Sequence, residues 1–242
     1  ISGRLIAEAE GVSKSFDGRA VISNFSTRIL RGDRVGLIGP NGAGKTTLVG
    51  QLTGNLRPDA GTIHFAGEDI TRLPTHARVR RGLARSFQIT AVLREFTAIE
   101  NVALAVQAHD GHSFRFLGDA RNERRLRDRA WHALSQVGLD QRGAVLAQEL
   151  SHGEQRQLEI AMCLATRPDV LLLDEPLAGM GVAEAERMVE LLLTLKPHHA
   201  MLLVEHDMDA VFTLADRLSV MVNGVVIASG TPDEIRNDVT VQ

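Results

Sequence analysis

A glycine-rich segment, "GPNGAGKT" at residues 39–46, constrains the fold more than any other feature of the chain. It fits the pattern G-x-x-x-x-G-K-[ST] at every position. The apolar stretch before it predicts a strand, and the residues after it predict a helix that ends near Gly54. Glycines let successive backbone N–H groups point toward one anion, and the helix adds the positive end of its dipole. We therefore predict a phosphate-binding loop, against the alternative of a chance glycine turn. Its residues are Gly39, Pro40, Asn41, Gly42, Ala43, Gly44, Lys45, Thr46 and Thr47.

Two side chains of this loop have the chemistry that a nucleoside triphosphate with Mg²⁺ requires. The ammonium group of Lys45 would neutralise the β and γ phosphates, and the hydroxyl group of Thr46 would bind Mg²⁺. Backbone N–H groups at Gly44 and Thr47 lie where phosphate oxygens are expected. The loop thus predicts ATP and Mg²⁺ as ligands.

A second segment, "VLLLDE" at residues 170–175, predicts a buried strand that ends in two carboxylates. Ligands of open α/β sheets bind at the carboxyl ends of the strands. Neighbouring side chains of a strand point in different directions, so the two acids can have different roles. We expect Asp174 to support Mg²⁺ and Glu175 to polarise the water that attacks the γ-phosphate. An acidic strand end alone is weak evidence, and the phosphate-binding loop is what strengthens it.

The order of apolar patterns predicts an α/β fold with a mixed sheet and an inserted helical part. Alternating residues on either side of "DGR" predict a pair of strands, and runs such as "VLLL" indicate strands buried on both faces, which are typical of a parallel sheet. Asn223-Gly224 between two apolar runs predicts a hairpin. Between about residues 89 and 165 the pattern becomes helical. We find no internal repeat and no low-complexity segment.

Composition excludes several function classes. The formal net charge of the 242 residues is −3, which argues against nucleic acid as a main ligand. Charged residues dominate residues 121–129, but their mixed signs and helical spacing favour a solvated helix face. The lone Cys163 lies in an apolar run and is expected to be inert in the core. No stretch reaches the roughly 18 apolar residues of a membrane span, and no signal peptide is evident.

Five segments, "GPNGAGKT", "SFQ", "LSHGEQ", "LLLDEP" and "VEHD", occur in the order seen in the nucleotide-binding subunits of ATP-binding cassette (ABC) transporters, which the whole chain resembles. The resemblance implies a P-loop NTPase fold of the ABC type in one domain, residues 1–242. A RecA-like core with an N-terminal β subdomain would comprise residues 1–88 and 166–242. A helical subdomain with the signature motif would comprise residues 89–165.

The resemblance also assigns roles to three further residues. Phe16 resembles the aromatic residue that stacks on adenine, and His206 resembles the histidine that contacts the γ-phosphate. Gln88 resembles the glutamine that touches Mg²⁺ and the attacking water and links the core to the helical subdomain. Taken alone, Phe16 is equally typical of a core aromatic, Gln88 of a polar strand end and His206 of a residue beside a helix cap.

The segment "LSHGEQRQLEIA" begins a helix whose free N–H groups suit an anion. Because the loop at residues 39–46 already surrounds one nucleotide, this second site implies another phosphate. In the family, that phosphate belongs to ATP on a facing subunit, so the resemblance implies that Ser151, Gly153 and Gln155 bind nucleotide in trans. Without the resemblance, Ser151 is an ordinary helix N-cap. His152 and Gly181 depart from the family pattern, in which glycine and aspartate are usual.

Within the family, the chain is most similar to the ATPase subunits of bacterial importers for branched-chain amino acids, urea and amides. This resemblance implies permease subunits in the membrane, a second ABC ATPase subunit of the same or a different kind, and indirectly a periplasmic solute-binding protein. It also implies a peripheral location on the cytoplasmic face of the inner membrane. The alternatives are a soluble ABC ATPase acting on ribosomes, Fe–S assembly or DNA, and a nucleotide-binding module without turnover. The transported solute is selected by chains other than this one.

Overall fold

A long β-hairpin opens the fold. In the computed structural model, which describes residues 5–86, 91–110 and 124–241, β1 (Leu5–Phe16) pairs antiparallel with β2 (Arg19–Leu30). Asp17 and Gly18 connect them with φ angles of 49° and 78°, the left-handed pair that a two-residue hairpin turn requires. Strands β4 (Ala60–Phe65) and β5 (Glu68–Asp69) complete a four-stranded sheet of order β2-β1-β4-β5.

A six-stranded sheet of order β10-β9-β3-β8-β7-β6 carries the predicted parallel strands. Every residue of β7 and β8 is buried, as strands covered on both faces require. The sequence pattern around Leu83 to Phe87 also predicts a strand, and the structure has a strand at Leu83–Arg85. Phe87 lies outside the described residues. Strand β10 alone runs antiparallel to its neighbour, after a turn at Asn223-Gly224 with φ angles of 49° and 78°. The strands are β3 (Arg34–Ile38), β6 (Leu83–Arg85), β7 (Val170–Asp174), β8 (Ala200–Val204), β9 (Arg217–Val222) and β10 (Val225–Gly230).

Eight α-helices lie in the described part of the chain. Apolar side chains of both sheets and of α1 form one buried core. Helix α1, which follows the glycine loop, therefore packs its apolar face against this core. Two short 3₁₀ turns, Asp140–Arg142 and Ala147–Glu149, precede α5. The helices are α1 (Lys45–Thr53), α2 (Thr75–Val79), α3 (Ala98–Asp110), α4 (Arg124–Gln136), α5 (His152–Ala165), α6 (Val182–Leu195), α7 (Met208–Leu214) and α8 (Pro232–Arg236).

The chain divides into two compact units. The sheet unit consists of Ile1–Arg85, Asp169–Glu175 and Leu192–Gln242, and the helical unit of Ser86–Pro168 and Pro176–Leu191. The helical unit therefore includes the segment after β7 and most of α6, in addition to the continuous segment that the helical pattern indicated. None of the described helices is long and apolar enough to cross a membrane.

An ion cluster joins three helices of the helical unit. Arg129 of α4 donates two hydrogen bonds to Asp110 at the end of α3, at 2.6 and 2.8 Å, and one to the carbonyl of Ala165 at the end of α5, at 3.0 Å. Arg125 also contacts Asp110, at 3.0 Å. The predicted solvated face of residues 121–129 is therefore only partly solvated. Residues 121–123 lie outside the described residues.

Candidate functional site

The carboxyl ends of three neighbouring strands form one edge of the six-stranded sheet. Val204 of β8 is in register with Leu37 of β3 on one side and with Asp174 of β7 on the other. The glycine loop and Glu175 follow directly after β3 and β7, and His206 is the second residue after β8. This edge is where open α/β sheets bind ligands, and the chain's predicted chemistry is concentrated there.

The glycine loop depends on two glycines for its path. Gly39 has a φ angle of 150°, and a Cβ atom there would lie 2.0 Å from the carbonyl oxygen of Met221. Gly44 has a φ angle of 100°, and its Cβ atom would lie 2.7 Å from the carbonyl oxygen of Val21. Ala43 is held by hydrogen bonds from its N–H to Pro40 and from the N–H of Gly224 to its carbonyl. Strand β2 and the β9–β10 turn thus hold the loop in one shape.

Helix α1 begins with its backbone donors available to a ligand. Gly44 is the N-cap residue, and no side-chain cap bond is found there among the described residues. The first N–H groups of a helix have no partner within the helix. Thr46 is exposed and Thr47 is half-buried, so the end of α1 that follows the loop is accessible. The arrangement matches what a phosphate group needs: several N–H donors at the positive end of a helix dipole.

Lys45 turns back over the loop. Its side chain is buried, and Nζ donates hydrogen bonds to the carbonyl oxygens of Gly39 and Pro40, at 2.6 and 3.0 Å. Burial lowers the pKa of Lys45, while the carboxylates of Glu175 and Asp174 oppose that change. A cation therefore lies over the loop, beside both predicted acids.

Asp174 is completely buried at the end of β7. Its Oδ2 atom accepts a hydrogen bond of 2.8 Å from Nη2 of Arg85, the last residue of β6. Burial raises the pKa of Asp174, against the hydrogen bond and the charge of Arg85. Arg85 is not among the site residues that the sequence pattern predicts. A charged residue after a short apolar run is the only sequence signal at Arg85, and it does not show that the side chain reaches Asp174.

Glu175 has a backbone conformation that is rare for a residue with a side chain. Its φ angle is 49°, and its N–H donates to the carbonyl of Val204 at 2.8 Å. Left-handed conformations of this kind cost of order 1–3 kcal/mol and concentrate at functional sites. This conformation follows immediately after Asp174, the last residue of β7.

His206 and Phe16 are both accessible. The His206 side chain is 62% exposed, and its Nδ1 atom lies 3.7 Å from a carboxylate oxygen of the fully buried Glu205. Phe16 ends β1 with 44% of its surface exposed, and Nζ of Lys14 lies 5.5 Å from its ring centre. Phe16 is thus not the core aromatic of the alternative interpretation. Glu205 was not predicted as a site residue, and Gln88 lies outside the described residues.

The start of α5 has a complete side-chain cap. The N–H of Glu154 donates to Oγ of Ser151 at 3.2 Å, and the N–H of Ser151 donates to the Glu154 carboxylate at 2.8 Å. This reciprocal pair is a capping box. The Gln155 amide donates to the carbonyls of Ala147 and Leu150, both at 3.1 Å, so its N–H groups hold the preceding turn. The Ser151 hydroxyl accepts in the cap and keeps its own proton for another acceptor.

A cleft of about 420 Å³ lies between the first turns of α5 and α6. A Cβ atom on Gly153 would lie 3.1 Å from Oε1 of Glu184, so this carboxylate stands close to the α5 backbone. Arg187 also lines the cleft and is exposed. His152 packs its ring against Gly179. The start of α5 is therefore polar and exposed at Ser151 and His152, whereas Gly153 is buried beside Glu184.

The glycine loop lies at the end of a parallel strand and is followed by a helix with a lysine in its first turn. An aspartate ends a strand beside it. These features define a P-loop nucleotide-binding protein. The family model described as "ABC transporter" matches residues 22–178, well over half of the chain. The chain belongs to the ABC transporter family, which confirms the resemblance described above.

Similar proteins and a solved structure match nearly the full length of this chain. The high-affinity branched-chain amino acid transport ATP-binding protein BraF of Pseudomonas aeruginosa is 37% identical over 97% of this chain and 95% of its own. The corresponding protein LivG of Salmonella typhimurium is 39% identical over 94% of this chain and 92% of its own. The ADP conformation of an ATP-binding cassette of an ABC transporter superposes with a TM-score of 0.87 at 30% identity, covering 98% of this chain and 96% of that one. The predicted α/β P-loop fold is thereby confirmed.

Proposed function

We propose that this chain is the ATP-hydrolysing subunit of a membrane importer for branched-chain amino acids or related small amides. The observation that carries the proposal is the near full-length similarity to branched-chain amino acid transport ATP-binding proteins, together with a phosphate loop and two carboxylates at one sheet edge. The same similarity favours the importer over a soluble ABC ATPase acting on ribosomes, Fe–S assembly or DNA.

ATP binds with its phosphates on the loop of residues 39–46. The N–H groups at the start of α1 donate to the phosphate oxygens, and Lys45 moves its ammonium group from the loop carbonyls to the β and γ phosphates. Exchanging two neutral acceptors for charged ones strengthens each hydrogen bond. Phe16, exposed at the end of β1, stacks on the adenine ring.

The donor set suits Mg²⁺, which prefers hard oxygen ligands and keeps several waters. The hydroxyl group of the exposed Thr46 and the buried carboxylate of Asp174 would be oxygen donors. The family resemblance adds the amide oxygen of Gln88, which lies outside the described residues. Mg²⁺ would neutralise negative charge on the phosphates when bound. Asp174 would hold the ion through water or directly.

Glu175 acts as the general base in hydrolysis. It accepts a proton from the attacking water, whose oxygen forms a bond to the γ-phosphorus as the bond to the β–γ bridging oxygen breaks, giving ADP and phosphate. His206 donates a hydrogen bond to the γ-phosphate, with Glu205 behind it. The pinned backbone of Glu175 favours this role because a base must hold one position relative to the water.

A second cassette completes each site. Ser151 and Gly153 of a facing subunit, identical or homologous, donate to the γ-phosphate from the opposite side, so that ATP draws two chains together and hydrolysis releases them. Such coupling requires contacts that only the triphosphate state makes. Gln155 would join them through its amide oxygen, since its N–H groups hold the turn before α5.

We assign the sheet unit to nucleotide binding and the helical unit to the signature contact and to coupling with permease subunits. A periplasmic solute-binding protein would deliver the solute to those permeases. The complex would place this chain at the cytoplasmic face of the inner membrane. The similarity to branched-chain amino acid transport ATP-binding proteins supports this location.

The test replaces Glu175 with Gln in the purified full-length protein. We expect ATP hydrolysis to fall at least about 100-fold, because general-base catalysis contributes 10²–10⁴-fold. ATP binding should remain, and an ATP-dependent dimer should accumulate in size-exclusion chromatography. Glu68→Gln, at an exposed acid that pairs with Arg81, is the control and should hydrolyse normally. A normal rate in Glu175→Gln would exclude Glu175 as the base.

The importer assignment needs the native complex. Purification from native membranes should recover the chain with integral permease subunits. In reconstituted vesicles with the binding protein, leucine or a small amide should stimulate its ATPase activity. Recovery only in ribosomal or DNA-bound fractions would instead establish the soluble ATPase.

A further inference from the structure

An ion pair joins the ends of two neighbouring strands at the candidate site. Arg85 ends β6 and Asp174 ends β7, and these parallel strands place Arg85 opposite Leu172. The long side chain of Arg85 therefore reaches forward along β7 to the last residue. Nη2 of Arg85 donates to Oδ2 of Asp174 at 2.8 Å.

Burial restricts both partners of this pair. The side chain of Asp174 is 0% exposed and that of Arg85 is 12% exposed. Nη1 of Arg85 lies 3.5 Å from the hydroxyl oxygen of Thr53 at the end of α1, and that hydroxyl donates to Val49 at 2.8 Å. The guanidinium group thus lies between α1 and β7. These contacts and its burial restrict its orientation.

The chemistry of the pair matches that of a metal-binding carboxylate and its supporting partner. Carboxylates that bind metals are commonly held by a hydrogen bond, and loss of that bond typically weakens metal affinity 10- to 100-fold. Arginine suits this task because its planar fork fixes the direction of each N–H group, whereas a lysine ammonium group rotates.

We propose that Arg85 is a positioning residue for Asp174. Its guanidinium group holds one carboxylate oxygen of Asp174, so that this carboxylate meets Mg²⁺ in a single orientation. The inference rests on the proposed function, in which Asp174 supports Mg²⁺. A purely structural bond between β6 and β7 would instead affect ATP binding equally with and without the metal. The two roles therefore differ in a measurable quantity.

The experiment measures binding of a fluorescent ATP analogue to the full-length protein, first in EDTA and then over a series of Mg²⁺ concentrations. Mg²⁺ should enhance binding of the analogue. In Arg85→Gln, we expect the Mg²⁺ concentration that gives half of this enhancement to rise roughly 10- to 100-fold. Affinity in EDTA should stay at the wild-type level. Arg85→Lys keeps the charge without the fork, and its Mg²⁺ requirement should lie between those of the wild type and Arg85→Gln.

The matched control is Arg34→Gln, which breaks another arginine–aspartate pair of the same sheet, with Nη2 of Arg34 at 2.9 Å from Asp216. Its Mg²⁺ requirement should stay at the wild-type level. An unchanged requirement in Arg85→Gln, or equal weakening with and without Mg²⁺, would overturn the proposal. If Arg85→Gln does not fold, a wild-type Mg²⁺ requirement in Arg85→Lys overturns it. If wild-type binding is itself independent of Mg²⁺, the proposed metal site fails instead.

Discussion

The chain contains two helix starts that face an anion in the proposed cycle, and they differ in how they are capped. Helix α1 begins at Gly44 without a side-chain cap bond among the described residues, and a buried lysine lies over its loop. Helix α5 begins at Ser151 with a complete capping box, and Glu184 stands near its Gly153. The N–H groups at the start of α1 therefore need a ligand as acceptor, whereas the start of α5 is capped without one.

This difference has a physical consequence for the order of events. Open N–H groups and a nearby cation give α1 a large gain in free energy when phosphate arrives. At α5, the cap already satisfies one donor and an acidic side chain is close, so phosphate gains less there. One chain should therefore bind ATP through α1 alone, and the contact at α5 should follow only when a second chain presents its ATP.

The largest expected effect comes from Lys45→Ala. Removing the cation over the loop should weaken ATP binding by roughly 100- to 1,000-fold, because truncating one partner of a buried, hydrogen-bonded charge pair costs about 2–5 kcal/mol. Titration with a fluorescent ATP analogue measures the loss. Lys196→Ala, at a lysine paired with Asp216, should bind normally. Binding within a few-fold of the wild type in Lys45→Ala would show that the backbone donors suffice.

The C-terminal ends of the same two helices provide the next comparison. Arg78, buried with 1% exposure, donates to the carbonyls of Gln51 and Leu52 in the last turn of α1 and to those of Leu73 and Thr71. Burial lowers the pKa of Arg78 to about 10, which leaves it charged at neutral pH. Arg78→Met should lower the free energy of unfolding by about 3 kcal/mol, because buried acceptors lose their donors.

Arg129→Met is the matched variant at the end of α5. It should destabilise less, because Arg129 donates one bond to that helix end, at Ala165, and Asp110 keeps its contact with Arg125. Urea unfolding of both variants measures the difference. A larger loss for Arg129→Met would mean that the helical unit depends more on its arginine than α1 does.

The smallest effect is expected for Ser151→Ala. Loss of the cap should cost about 1 kcal/mol of stability, and loss of the contact to a γ-phosphate should slow hydrolysis about 10-fold. ATP binding by the single chain should not change. Thr231→Ala removes the same kind of capping box from α8 and should lose similar stability without slowing hydrolysis. Equal hydrolysis rates in the two variants would show that Ser151 acts only as a helix cap.

Contiguous motifs explain how much of this site could be predicted from sequence. The loop, Asp174 and Glu175 follow apolar runs whose length and composition already predict strands, so their place at strand ends was evident. The hairpin at Asn223-Gly224 was predictable because a two-residue turn requires left-handed residues. Arg85 and Glu205 were not predictable as site residues, because their roles depend on partners that only the assembled sheet and its edge bring close.

The amino-acid sequence by itself determined the phosphate loop, the alternation of strands and helices, and the family, because each depends on residues that are close together in the chain. The tertiary structure alone decided that Arg85 meets Asp174, which is 89 positions away, and that Arg78 closes the end of α1. Strand order and burial create these contacts, and no local pattern encodes which strand lies beside which.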